Sequence, residues 1–82
     1  MIKVLFFAQL KELLNSSEIT LDGAQSGTVD TIKQSIISSH PNWEKHLSSS
    51  VMLTSVNQAL VSCDHIVKDN DEVAFFPPVT GG

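Results

Sequence analysis

The chain has 82 residues, 41% of them hydrophobic and 17% charged, which predicts one globular domain with a modest core rather than a disordered segment. A net charge of −4, with only five Lys and Arg, argues against a nucleic-acid partner, because that binding rests on cationic side chains neutralising phosphates. No apolar stretch approaches the ~20 residues that cross a bilayer, and the lone Cys63 can form no internal disulfide, so no membrane and a reducing, cytoplasmic setting are expected.

In chain order, Ile2 to Phe7 (IKVLFF) is rich in branched and aromatic residues and reads as a strand rather than a signal peptide, since no small-residue cleavage site follows it. Gln9 to Leu14 is a short helical turn ended by Asn15. Glu18 to Asp22 (EITLD) alternates polar and apolar, the period of a half-buried strand. Gly23 to Gly27 reads as a loop. Thr28 then makes a plausible N-cap, and Asp30 suits the positive end of a helix dipole. Val29, Ile32 and Ile36 mark one helical face, widened by Ile37, and Pro41 ends the helix. Asn42 to Leu47 is a further short turn, with Trp43 as its anchor to the core.

The second half is β. Val51 to Val56 and Ala59 to Ser62 flank Asn57-Gln58, a separation typical of a hairpin. Asp69-Asn70-Asp71 is a turn signal, and Glu72 to Phe76 (EVAFF) is a last strand closed by Pro77 and Pro78. The order predicts a small α+β fold, a mixed sheet packed against one main helix. Its domain is expected to span residues 1–76, with a tail over 77–82.

Strand parity sorts the two faces of that sheet. With Lys3 pointing out, Ile2, Val4 and Phe6 face the core, and Leu5 and Phe7 share the outer face. With Glu72 outside, Val73 and Phe75 are buried, and Ala74 and Phe76 are exposed. Phe7 and Phe76 thus fall on the face that a single helix cannot cover. Either loops and short helices cover it, or it is a protein-docking patch beside the tail.

Candidate catalytic groups are few. Cys63-Asp64-His65 brings a thiol and an imidazole close in sequence, but on a strand neighbours face opposite ways, and no third group orients them. His40 and His46 lack companion ligands, so no metal site is expected, and Gly23 and Gly27 form no phosphate loop. The remaining group is the carboxylate that ends AFFPPVTGG. Glycines pass a narrow channel, two prolines hold the root extended, and Val79 and Thr80 could make strand-like contacts with a channel wall. A frayed end and a working terminus both fit these residues.

MIKVLFFAQLKEL, VNQALVS, and DH followed by DEVAFFPPVTGG resemble the ubiquitin-like, β-grasp sulfur carriers, and among them the small subunits of molybdopterin synthase. The resemblance implies a chain without catalytic side chains of its own and without a permanently bound cofactor. A partner E1-like adenylating enzyme, using ATP and magnesium, would convert the Gly82 carboxylate into an acyl adenylate. A sulfur donor protein would then displace AMP to leave a thiocarboxylate. The loaded tail, with Gly81, Thr80 and Val79 threading, would enter the synthase large subunit and deliver sulfur to cyclic pyranopterin monophosphate, forming a dithiolene. The family assembles as a heterotetramer of two small and two large subunits. It also places Phe7, Leu60 and Phe76 in its partner-binding patch. Three other readings are a sulfur carrier for another acceptor such as the thiazole of thiamine, a ubiquitin-like modifier joined to lysines, and an interaction module with an inert tail.

Overall fold

Alternate apolar side chains of the opening strand drive into one side of a sheet, and that choice organises the molecule. The computed structural model describes residues 1–23, 27–48 and 52–78. Strand β1 (Ile2–Phe6) leads into helix α1 (Ala8–Leu14) and strand β2 (Glu18–Leu21). A short strand β3 (Gly27–Thr28) opens helix α2 (Val29–Ser39), followed by a 3-10 turn (Pro41–Trp43) and helix α3 (Glu44–Leu47). The hairpin β4 (Leu53–Val56) and β5 (Ala59–Val61) comes next, then β6 (Ile66–Val67) and β7 (Glu72–Phe76).

Five strands form a mixed sheet in the order β2-β1-β7-β4-β5. The central pair, β1 and β7, is parallel, and every other neighbour in this sheet is antiparallel. The five long strands expected from sequence all lie in it. The fold is α+β, as expected. The departures are local. Phe7 follows the end of β1 instead of belonging to it, Asp22 follows β2, and Ser62 follows β5. Gly27, assigned to a loop, pairs with Val67 in a separate two-stranded ladder of β3 and β6. Val51, the expected start of the fourth strand, lies outside the described residues.

One face of the sheet carries the core. Ile2, Val4, Phe6, Val73, Phe75 and Val56 pack with Leu10 and Leu14 of α1, Val29, Ile32 and Ile36 of α2, and Leu47 of α3. Phe6 stacks on Phe75 at 6.4 Å between centroids, and Trp43 meets the Phe6 ring edge-on at 5.5 Å. Trp43 is therefore the anchor expected of it. Burying a side chain of this kind contributes about 1.5–3 kcal/mol. The N-terminus of α2 is held by the Thr28 hydroxyl, which accepts from the Thr31 N–H at 3.1 Å. The carbonyls of His65 and Cys63 accept from the Val29 and Asp30 N–H groups, both at 2.9 Å, so this helix start leaves few orphan donors.

Candidate functional site

The sheet's other face is built by the residues between the core positions. Lys3, Leu5 and Phe7 alternate with Ile2, Val4 and Phe6. Phe7 keeps this alternation because its backbone stays extended (φ −122°, ψ 161°) while it caps α1, and its N–H still donates to the Phe75 carbonyl at 3.3 Å. The turn into α1 is completed by Ala8 at φ 57°, a left-handed conformation rarely taken by a residue with a Cβ.

Register then assembles the patch. Leu5 lies opposite Ala74, Ala74 opposite Ser55, and Ser55 opposite Leu60, one row running across four strands. Phe76 lies opposite Leu53, with Phe7 on the far side of β7, so a second row is apolar throughout. Phe7 is 47% exposed, Leu60 69% and Leu53 37%, while Phe76 is half-buried. The opposite end of the same face is polar, with Lys3 paired to Glu72. The structure therefore brings Phe7, Leu60 and Phe76 onto one face.

Ala74 corrects the parity reading. It points to the open face as expected, but is only 5% exposed. It occupies the middle of the central strand, where Leu5 and Ser55 on its two neighbours stand above a single methyl. Direction follows from parity; exposure depends on what flanks the position.

Leu53 was not singled out in the sequence, and the side of Leu60 came only from resemblance. The signal lay in the hairpin. Asn57 and Gln58 both have positive φ, 51° and 72°, the two-residue turn that sets residues equidistant from it opposite each other. Ser55 then faces Leu60, and a polar Ser55 on the outside puts Leu60 and Leu53 there too.

This hairpin is fastened to the start of β7. The Asn57 side chain accepts from the Glu72 N–H at 3.0 Å and donates to the Asp71 carboxylate at 3.1 Å, and the Asn57 N–H donates to the Glu72 carbonyl at 2.8 Å. The Lys68 N–H donates to the other Asp71 oxygen at 2.8 Å. These bonds, the Lys68 amide foremost and then Asn57, hold the Asp71 carboxyl below the usual aspartate range. Asp69 is lowered likewise, by the N-terminal ammonium of Met1. Both lie at the polar end of the sheet.

The Cys63-Asp64-His65 segment is a turn after β5, so the strand argument against a thiol–imidazole pair does not apply to it. Its observed part is structural. Two of its carbonyls cap α2, and the Ser62 hydroxyl donates to Asp64 and lowers that carboxyl. Cys63 is exposed. His40 is stacked on Trp43 at 4.0 Å, and His46 is half-buried on α3. Among the described residues, no three His, Cys, Asp or Glu side chains cluster as metal ligands, and no helix is long and apolar enough to cross a membrane.

Beyond Phe76 the strand gives way to Pro77, half-buried, and Pro78, exposed. Val79, Thr80, Gly81 and Gly82, the residues assigned to the tail's chemistry, lie outside the described residues.

A five-stranded mixed sheet with its helices gathered on one side and an apolar patch on the other defines the ubiquitin-like β-grasp class. The chain belongs to the ThiS family, whose model matches residues 4–82. It is 49% identical over 82 residues, the whole of both chains, to the molybdopterin synthase sulfur carrier subunit of Escherichia coli strain K12. SAMP1 from Haloferax volcanii shares its fold with a TM-score of 0.77 and 25% identity, over 99% of this chain and 98% of that one. A chain in the complex of subunits 1 and 2 of molybdopterin-converting factor from Helicobacter pylori 26695 is alike in fold, with a TM-score of 0.69 and 21% identity over 99% of this chain and 97% of that one.

Proposed function

We propose that this chain is the sulfur carrier of a molybdopterin synthase, acting in molybdenum cofactor biosynthesis. The observation that carries this reading is the end-to-end similarity, at 49% identity, to a protein of that name. The division of labour is between residues 1–76, which dock, and the tail over 77–82, which reacts.

The chemistry belongs to the Gly82 carboxylate. A carboxylate resists nucleophiles, so the adenylating enzyme joins it to AMP from ATP, with magnesium, releasing pyrophosphate. The mixed anhydride carries a good leaving group. A sulfur donor displaces AMP: sulfide leaves the thiocarboxylate on Gly82 directly, whereas a donor persulfide gives an acyl disulfide that a second thiol cleaves, ending as a disulfide with the donor and leaving the thiocarboxylate on Gly82. Gly81, Thr80 and Val79 thread the tail into the large subunit, where the sulfur passes to the pterin precursor, cyclic pyranopterin monophosphate, and two such transfers complete the dithiolene. The apolar patch of Phe7, Leu60 and Phe76, extended by Leu53, provides the binding energy that brings the tail to each partner. The pairing with a large subunit is supported by the Helicobacter pylori complex of two subunits, and the assembly proposed for it is a heterotetramer of two small and two large subunits.

The test is reconstitution. Thiocarboxylated chain mixed with the large subunit and the pterin precursor should yield the dithiolene product. A chain lacking Gly81-Gly82 should yield none while still binding the large subunit. Product from the truncated chain would overturn the assignment. Covalent conjugates to lysines instead of product would favour a modifier.

A further inference from the structure

Only Phe7 separates β1 from α1. Both elements are fixed by their own contacts: β1 is paired with β2 and β7, and α1 is drawn against the core by Leu10 and Leu14, which are almost fully buried. The reversal between strand and helix therefore falls on two residues. Phe7 stays extended, tied by its N–H to the Phe75 carbonyl and by its own carbonyl to the Lys11 N–H at 3.4 Å. Ala8 must then supply the turn, and does so at φ 57°.

That conformation is unfavourable for alanine. In left-handed backbone a Cβ crowds the following carbonyl oxygen, and only glycine escapes the crowding. Among the described residues, the other positive φ values belong to Asn15, Asn57, Gln58 and Asn70. Three of these are asparagines, whose short polar side chains tolerate it; Ala8 has no such group. Ala8 is also exposed, so burial of its methyl does not account for the strain. What the turn achieves is seen one residue back. Phe7, 47% exposed, continues the alternation of β1 onto the open face, while the chain after it returns to the helix layer. A right-handed Ala8 would either lift Leu10 and Leu14 out of the core or turn the Phe7 ring out of its row beside Phe76. Strain of this kind persists only where the surroundings impose it, and it collects at functional surfaces.

We infer that Ala8 is a positioning residue for docking: its left-handed backbone sets the direction in which Phe7 is presented on the apolar patch, and it acts through that backbone rather than through its methyl. The inference rests on the carrier reading above, in which Phe7 docks the proteins that receive the tail. Alanine also holds the geometry more narrowly than glycine, which would add conformational freedom at the base of the ring.

Substitutions in the full chain should rank by tolerance of positive φ and not by size. Threonine and asparagine are similar in volume and both polar, but the branched Cβ of threonine resists the left-handed region. Ala8→Thr should weaken binding to the purified large subunit about tenfold, while Ala8→Asn and Ala8→Gly stay within about threefold of the parent. With the adenylating enzyme, Ala8→Thr should raise KM for the chain and leave kcat within about twofold, since docking is altered and the reacting carboxylate is not. Hydrogen exchange at the Phe7 amide should quicken in Ala8→Thr, and exchange at the Phe6 amide, bonded to the Ser17 carbonyl, should not. A synthetic chain with D-alanine at position 8, for which positive φ is the favoured hand, decides the matter even if Ala8→Thr does not fold. It should melt a few degrees above the parent and bind at least as tightly. Equal losses in Ala8→Thr and Ala8→Asn, parent-like binding by folded Ala8→Thr, or weaker binding by the D-alanine chain would each overturn the inference. Parent-like binding by Phe7→Ser, or no binding by the parent itself, would instead overturn the reading on which it rests.

Discussion

The two faces of the central sheet are made by the same strands and have opposite fates. On the helix side, Ile2, Val4, Val73 and Phe75 are fully buried and Phe6 nearly so. On the open side, the intervening Leu5, Phe7, Phe76 and Leu53 are equally apolar by composition but half-buried or exposed. A sheet that needs only one buried face to fold has used apolar residues on both. The first set specifies the fold; the second makes sense as a surface reserved for other chains.

The comparison breaks most severely at its buried member. Phe75→Ala should cost about 3–5 kcal/mol, because the ring stacks on Phe6 and leaves a cavity, and should lower the thermal midpoint by about 15 °C or more. Its neighbour in sequence should behave differently. Phe76→Asp should cost about 1 kcal/mol of stability or less by circular dichroism melts, yet weaken large-subunit binding by at least about tenfold. A Phe76→Asp chain that failed to fold would place Phe76 in the core and erase the distinction between the faces.

These neighbours also show how much was legible. Parity marked Phe7 and Phe76 as outward because Lys3 and Glu72 label the solvent side of their strands. No charge labels β4 or β5, where the buried Thr54 and the exposed Leu53 reverse the usual pattern, so the side of Leu60 needed the turn's register. Ala74 had the right direction and the wrong exposure, since a methyl is hidden by whatever stands beside it. The ladder of β3 and β6 gave no signal at all, because each is two residues long and Gly27-Thr28 reads equally as a loop and a helix cap. The main helix was fully legible, from cap to Pro41, because its signals are local.

Smaller effects sharpen the polar end against the apolar one. Asn57→Ala removes the side-chain bonds to Asp71 and Glu72, and should cost about 1 kcal/mol. It should also reduce partner affinity modestly, by loosening the hairpin that presents Leu60. Asp71 supplies the pH dependence. Its folded-state carboxyl is depressed, so its contribution is complete above the ordinary aspartate value of 3.8 and is lost as pH falls through the lower folded value. Asp71→Asn should therefore flatten the fall in stability below that pH, by a small amount because the group is largely solvated. Urea titrations at stepped acidic pH would show it. Cys63→Ala should change least: the backbone carbonyl that caps α2 remains, and loading of Gly82 should proceed as in the parent. Loss of loading in that folded variant would give the thiol a chemical role.

The most direct measurement is the intact mass of the chain after incubation with the adenylating enzyme, ATP, magnesium and a sulfide source. The carrier account predicts a gain equal to the replacement of one oxygen by sulfur, abolished when Gly82 is deleted. An unchanged mass in the presence of a competent enzyme would contradict it, and would reduce the tail to the end of a strand.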